Sequence, residues 1–402
     1  MKRYIRLSTM LFSLLLAVIF TSGITYFIVD GYYLGRKQNS SGKAISISNK
    51  VNEVISVIDD YFIGSYDTEA VADSAASGMI DGLGDKWSYY MTADEYAQYI
   101  QATNNNYSGI GIVIEKNDSG GILIVSVYEI SPASKAGVSA GSVIYGVDGT
   151  DITDYTLTQA KTIILEGINS GSVELTLLQP DGAERTVKLM PGTVETNPVS
   201  YQMLTGNIGL VTVSNFEAKC ARQFIDAVDD LITKGAEGLI FDMRVNPGGR
   251  LDELLEVLDY LLPEGVLFTY NSKGEKSYSY TSGASCVDLP MAVLVNAETY
   301  SAAEFFAAAL QEYGWAQIVG EQTTGKGYAQ ITRVLSDGSA IHISSKEYFT
   351  PGGVSLAQTG VTPDKEIILD PQANALLYYG RLSHADDLQL QAALSLVQEL
   401  FE

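Results

Sequence analysis

The apolar positions of this chain fall into short runs divided by glycine, proline and polar turns, and the period of each run predicts an element. The first 30 residues are the exception. Lys2, Arg3 and Arg6 precede an apolar stretch from Leu7 to Val29, long enough for the roughly 20 residues that cross a bilayer. It ends in Ile-Thr-Tyr-Phe-Ile-Val-Asp, without the small-residue site at which a signal peptide is cut. Residues 1–30 therefore predict a single-pass transmembrane signal anchor with its basic end in the cytoplasm, although Arg36 and Lys37 oppose that charge bias. A polar linker, 31–45, follows. From 46 to 104 apolar residues recur at helical spacing (Val51, Val54, Ile55, Ile58; Val71, Ala75, Met79, Leu83). The aromatic cluster Trp87, Tyr89 and Tyr90 inside this region reads as core packing.

Between 107 and 190 the period shortens. Strands are expected at Gly109–Glu115, Ile122–Val127, Ser142–Val147 and Val173–Leu178, with a short helix near Ser131–Gly137 and a longer one over Leu157–Leu165. From 191 to 370 strands are expected at Asn207–Val213, Gly238–Arg244 and Ala292–Val295; Gly238–Phe241 is apolar throughout, as a strand covered on both faces is. Leu251, Leu254, Leu255 and Leu258 mark one face of a helix between them. Residues 371–402 end the chain in an amphipathic helical tail with Leu388, Leu390, Ala393, Leu394 and Val397. The fold class is α/β and multidomain: an anchor, a helical segment, a small β-rich domain and a mixed α/β core.

Composition narrows the chemistry. The formal net charge is −23, and no Lys/Arg block lies beyond the N-terminus, so a phosphate backbone would be repelled and no nucleic-acid partner is expected. The two cysteines, Cys220 and Cys286, make no disulfide framework and read as buried thiols. There are only two histidines. His342 lies in an alternating strand-like run and His384 in a polar turn, and both read as ordinary residues. A Ser-His-Asp triad or a histidine zinc site would have to be built from these two. Serine chemistry in this chain needs another base, and neither metal nor cofactor is called for.

The stretch Met291–Gln330 carries the candidate chemistry. A strand leads to Ser301-Ala-Ala-Glu304 at a helix start, and Lys326 follows between Gly325 and Gly327. Locally, Ser-x-x-Glu reads first as a capping box. The same placement would put the Ala302 N–H beside the Ser301 hydroxyl, where an oxyanion could form. Gly320-x-x-x-x-Gly325-Lys326 nearly completes a phosphate loop, but Gly327 stands where Ser or Thr must hold Mg²⁺ and a strand-like run follows where a helix is required. Enclosed by apolar and glycine-rich sequence, Lys326 would have its pKa lowered by burial toward that of a usable base.

The series Pro132-Ala…Ala136-Gly137…Gly141…Val147-Asp148-Gly149 after Gly109-Ile-Gly resembles a PDZ domain of the circularly permuted bacterial kind. That resemblance implies that Gly109, Ile110, Gly111 and Ile112 offer backbone N–H groups to the C-terminal carboxylate of a peptide added as a strand. The set Asp242-Met-Arg244-Val-Asn246-Pro-Gly-Gly249, Asn296…Ser301-Ala-Ala-Glu304, Gly320…Lys326…Gln330 and Tyr348-Phe-Thr-Pro-Gly352…Asp364 resembles the carboxyl-terminal processing peptidases from about residue 50 onward. This implies an extracytoplasmic S41-family serine endopeptidase, with Ser301 as nucleophile, Lys326 as general base and Gln330 orienting the lysine. Gly248 and Ala302 N–H groups would form the oxyanion hole. Substrates would be protein C-termini, and a homo-oligomer is compatible with the chain. Two positions depart from the family: Tyr300 beside the nucleophile, and Leu165-Glu166-Gly167 where the family's helix ends Ile-Arg-Gly. Glu166 reverses the charge through which the family couples PDZ position to activity. The rival class is an anchored, non-catalytic PDZ scaffold, favoured by those altered flanks and opposed by the joint presence of Ser301, Lys326 and Gln330.

Overall fold

The computed structural model describes residues 42–272 and 278–400. The expected anchor over 1–30 and most of the 31–45 linker lie outside the described residues, among which no helix is long and apolar enough to cross a membrane. The chain divides into two compact units, 1–72 and 73–402. The described part of the first holds the helix Gly42–Tyr61, on which Val54, Ile55 and Val57 are exposed. The helical spacing there is real, but within this unit it covers no core.

The second unit opens with a departure from the expected all-helical region. Gly82 and Gly84 end the helix Thr68–Asp81, and the β-prone Tyr89–Met91 forms a short strand against Ala340–His342. A helix, Ala93–Thr103, then starts at a capping box between Thr92 and Glu95.

A six-stranded antiparallel sheet follows, in the order Ile112–Lys116, Ile122–Val127, Val143–Val147, Val173–Leu178, Glu184–Leu189, with Thr150–Asp151 paired onto the third. Alternate residues of these strands (Ile122, Ile124, Leu175, Leu177) point into one core together with Ile164 of the helix Leu157–Asn169. Ile112–Lys116 is the edge strand of this sheet and lies beside that helix.

The larger core is a second six-stranded sheet. Ile208–Val213, Gly238–Asp242, Met291–Val295, Ala316–Gly320 and Lys365–Glu366 run parallel, and Val199–Leu204 closes one edge antiparallel. Every residue of Gly238–Asp242 and of Met291–Val295 is buried, which is why those runs carry no polar alternation. Their side chains still divide by parity. Phe241, Met291, Val293 and Val295 face the helices Cys220–Thr233, Leu251–Leu261 and Ala302–Glu312. Ile240, Ala292 and Leu294 face the C-terminal helix Leu388–Glu399. That helix is also held by a buried ion-pair network: Arg244 Nη2 lies 2.6 Å from Asp242 and 2.8 Å from Asp387, while Nη1 donates to Gln389 at 3.0 Å. A third, five-stranded sheet is built around Ala340–Phe349, which pairs with Tyr328–Val334 on one side and with Tyr89–Met91 and Val266–Ser272 on the other.

Both cysteines are free thiols, but only Cys220 is buried. It begins a helix packed on the sheet, whereas Cys286 lies in the exposed connection before Met291, so the expectation of two buried thiols fails for Cys286.

Candidate active site

Neighbouring parallel strands point their carboxyl ends the same way, and the crevice beyond those ends is where open α/β sheets place their chemistry. Here three adjacent strands each deliver one part. Gly238–Asp242 runs into Asn246-Pro-Gly-Gly249, Met291–Val295 into Asn296–Ser301, and Ala316–Gly320 into the loop ending at Lys326. Ser301, Ala302, Gly248, Lys326 and Gln330 all line one cavity of about 490 Å³.

The turn carrying Ser301 is stitched to the first loop. Asn296 Oδ1 accepts from Val245 N at 3.0 Å, the Thr299 hydroxyl donates to Met243 O at 2.8 Å, and Tyr300 N donates to Asn246 O at 3.1 Å. Ser301 stands at the N-cap position of Ala302–Glu312, but with φ 60° and ψ −123°, not the extended backbone usual for a cap. A non-glycine residue there stores strain of order 1–3 kcal/mol, as turns that aim a reactive side chain often do.

Gly248 has φ +89°, and a Cβ added to it would meet Ala302 N at 2.7 Å and Ser301 Cβ at 2.8 Å. Only glycine lets this loop approach the helix start so closely. Gly248→Ala is therefore expected to push the loop off Ser301 and lower kcat/KM by about 10²-fold, the cost of roughly 1 Å of misplacement; steady-state cleavage kinetics check it. The Gly248 N–H, expected from the sequence as an oxyanion donor, is given to Asn246 Oδ1 at 2.8 Å.

Glu304 is the residue whose reach the sequence understated. The capping-box reading accounts for one bond, Ser301 N to Glu304 Oε2 at 3.0 Å. The same buried carboxylate also accepts from Lys326 N at 2.9 Å, Gly325 N at 2.6 Å and the Thr323 hydroxyl. It thus ties the serine turn to the lysine loop.

Lys326 makes no ion pair among the described residues. Burial pulls its pKa below the ordinary lysine value, against the opposing charges of Glu304, Asp85 and Glu217. Its carbonyl accepts from the Tyr348 hydroxyl. Gln330 sits at a bulge in Tyr328–Val334, with its amide nitrogen donated to Tyr328 O at 2.8 Å and Ser344 Oγ at 3.2 Å.

Two wall residues were not singled out from sequence. Burial pushes the Glu217 carboxyl up to about 7, offset by Arg250 and Lys326. His342, read as an ordinary strand residue, lines the cavity; its ring stacks on Tyr89 at 4.8 Å and shares a 2.9 Å bond with Thr332. Burial and the Lys326 charge push its pKa down to about 4, so it is neutral at neutral pH. Of the aromatic cluster expected in a core, Tyr89 and Trp87 belong here instead. Tyr89 lines the cavity, while Trp87 lies 5.6 Å from the Tyr300 ring and Tyr90 donates to Asp73 at 2.6 Å. Nothing in the local spacing of Trp87 and Tyr89 could show this, because their partners Tyr300 and His342 are more than two hundred residues away.

The expected peptide-binding residues form a separate place. Gly109 ends the strand Asn106–Gly109, paired with Gly192. Ile110 O accepts from Ala133 N, and Gly111, at φ +79°, accepts from Tyr128 N just before the edge strand Ile112–Lys116.

Comparison with known proteins agrees with this architecture. Residues 207–367 match the profile of peptidase family S41, and residues 99–178 match that of the PDZ domain. The carboxy-terminal processing protease CtpA of Bacillus subtilis (strain 168) is 31% identical over 366 residues, covering 90% of this chain and 77% of that protein. A carboxyl-terminal-processing protease of Picosynechococcus sp. is 32% identical over 339 residues, covering 83% and 80%. A solved structure assigned to the S41 proteases, from Bacteroides fragilis, superposes with a TM-score of 0.54 at 19% identity, over 85% of this chain and 94% of that one, and shares the fold. The chain belongs to the S41 family of carboxyl-terminal processing proteases, which are serine peptidases.

Proposed function

We propose that this peptidase is a membrane-anchored, extracytoplasmic endopeptidase that cuts proteins near their C-termini with a Ser301–Lys326 dyad, the PDZ domain selecting the substrate. The observation that carries the reading is the shared cavity: Ser301 on a strained turn and a partly buried Lys326 share its wall, tied by one carboxylate.

In this reading neutral Lys326 Nζ takes the Ser301 proton as Oγ attacks the scissile carbonyl, then returns it to the leaving amine; water releases the acyl group by the same path. The Ala302 N–H at the helix start supports the tetrahedral oxyanion. Gly248 N–H joins it once Asn246 Oδ1 yields, and the carbonyl end of Gln330 orients the lysine. A substrate C-terminus adds beside Ile112–Lys116, with its carboxylate on the N–H groups of Gly109–Ile112. The apolar run 7–29 supports the anchor, and no cofactor is required by these steps.

Full-length protein incubated with an unstructured protein of apolar C-terminus is expected to cleave it, and Ser301→Ala to leave it intact; undiminished cleavage by Ser301→Ala overturns the proposal. The pH dependence has a definite sign. Only the neutral lysine is a base, so kcat/KM rises with pH through the Lys326 pKa and falls as acid protonates it. Burial places that limb below the ~10.4 of a free lysine. Glu217 titrates in the same cavity, so the lysine limb is the one retained by Glu217→Gln; an activity flat from mildly acidic to alkaline pH would contradict a lysine base.

A further inference from the structure

The turn between the helix Thr68–Asp81 and the strand Tyr89–Met91 carries Trp87 onto the lysine. Lys326 Nζ lies 4.7 Å from the indole centroid and 5.7 Å from the Tyr300 ring, and the two rings lie against each other at 5.6 Å and 33°. The turn is held from both sides. Asp85 accepts from Trp87 N at 3.2 Å and from the Ser88 hydroxyl, Ser88 Oγ accepts from Ser344 N at 3.0 Å, and Tyr89–Met91 pairs in register with Ala340–His342. Ser88 is buried. The indole is therefore placed by fixed backbone, while the side chain it meets is a long stem with about 2 kcal/mol of rotamer entropy.

We propose that Trp87 is a positioning residue for Lys326: with Tyr300 it forms an aromatic bracket that fixes the lysine nitrogen and keeps water from it. The effect on rate rests on Lys326 being the general base; the contact itself does not. Other charged or titratable groups face this nitrogen or the indole. Asp85 and Lys86 come from the same turn, Lys86 Nζ lying 4.5 Å from the indole. Glu304 comes from the helix Ala302–Glu312 and Glu217 from the segment after Ile208–Val213. His342 comes from the central strand of the third sheet.

Two influences oppose each other. An aromatic face attracts the ammonium form, whereas exclusion of water disfavours it. Burial is the largest influence on Lys326, so removing the indole should let the lysine keep its proton to higher pH. Trp87→Ala is expected to lose about ten-fold in kcat/KM at neutral pH for each unit by which the lysine rises, to recover at alkaline pH, and to be restored largely by Trp87→Phe. An equal loss at every pH without rescue by Phe would overturn the proposal.

Fluorescence tests the contact without catalysis. The chain has two tryptophans, so wild-type emission minus that of Trp87→Phe isolates Trp87. This difference should titrate with a midpoint below an ordinary lysine's, persist in Lys86→Met and vanish in Lys326→Met. A titration unchanged in Lys326→Met, or lost in Lys86→Met, overturns the bracket. If Lys326→Met abolishes the titration yet still cleaves at full rate, the bracket stands and the dyad reading falls.

Discussion

Glu304→Ala is expected to cost at least ~3 kcal/mol of stability and most of the activity in one step. The carboxylate is fully buried and accepts from the backbone N–H groups of Ser301, Gly325 and Lys326 and from the Thr323 hydroxyl. Alanine leaves three N–H donors without an acceptor, that of Gly325 buried and those of Ser301 and Lys326 part-buried, at about 1–3 kcal/mol for each that water cannot reach. For the unit 73–402 that corresponds to a melting temperature lower by about 4 °C. Activity should fall further than stability, because the lost bonds are those that set Ser301 and Lys326 relative to each other. Glu304→Gln should not rescue it, since its amide nitrogen would face N–H groups that need an acceptor. Thermal unfolding and cleavage measured on the same samples check both effects, and an unchanged melting temperature would show that the carboxylate is not the tie.

With Lys326 as the proposed base, Lys326→Ala carries the largest expected loss of rate, about 10⁴-fold, because a serine hydroxyl does not ionise alone. The fold should survive, because Nζ makes no ion pair among the described residues and its contacts there are the faces of Trp87 and Tyr300. Lys326→Arg should be as inactive as alanine at every accessible pH, since a guanidinium does not deprotonate. Partial activity in the arginine variant would mean that position 326 supplies charge and not a base.

Much of the scaffold could be read from the chain because burial on both faces leaves a plain signature. Gly238–Phe241 and Met291–Val295 are apolar throughout for that reason, and Val173–Leu178 of the antiparallel sheet shows its alternation just as openly. Ser301 and Lys326 were harder. Local sequence offered a helix cap and an incomplete phosphate loop, and the two became a pair only through the order of motifs around them. What joins them physically is the register of three parallel strands, which no local pattern expresses. The same limit hid Glu304, whose bonds to Gly325 and Lys326 reach 21 and 22 residues along the chain. It also hid Trp87, which packs on Tyr300 and Lys326, and His342, which lines the cavity and stacks on Tyr89. The hydrogen bond from Gly248 to Asn246 was invisible for another reason: a loop motif fixes where an N–H can point, but not which acceptor holds it.

The central claim is that Ser301 is made nucleophilic by neutral Lys326. The most direct measurement is the rate at which a fluorophosphonate modifies the full-length protein as a function of pH, with the labelled residue identified by peptide mass. A single modified residue, Ser301, is expected, at a rate that rises with pH through a midpoint below an ordinary lysine's and that collapses in Lys326→Ala. Labelling at another serine, or an equal rate with and without Lys326, would contradict it.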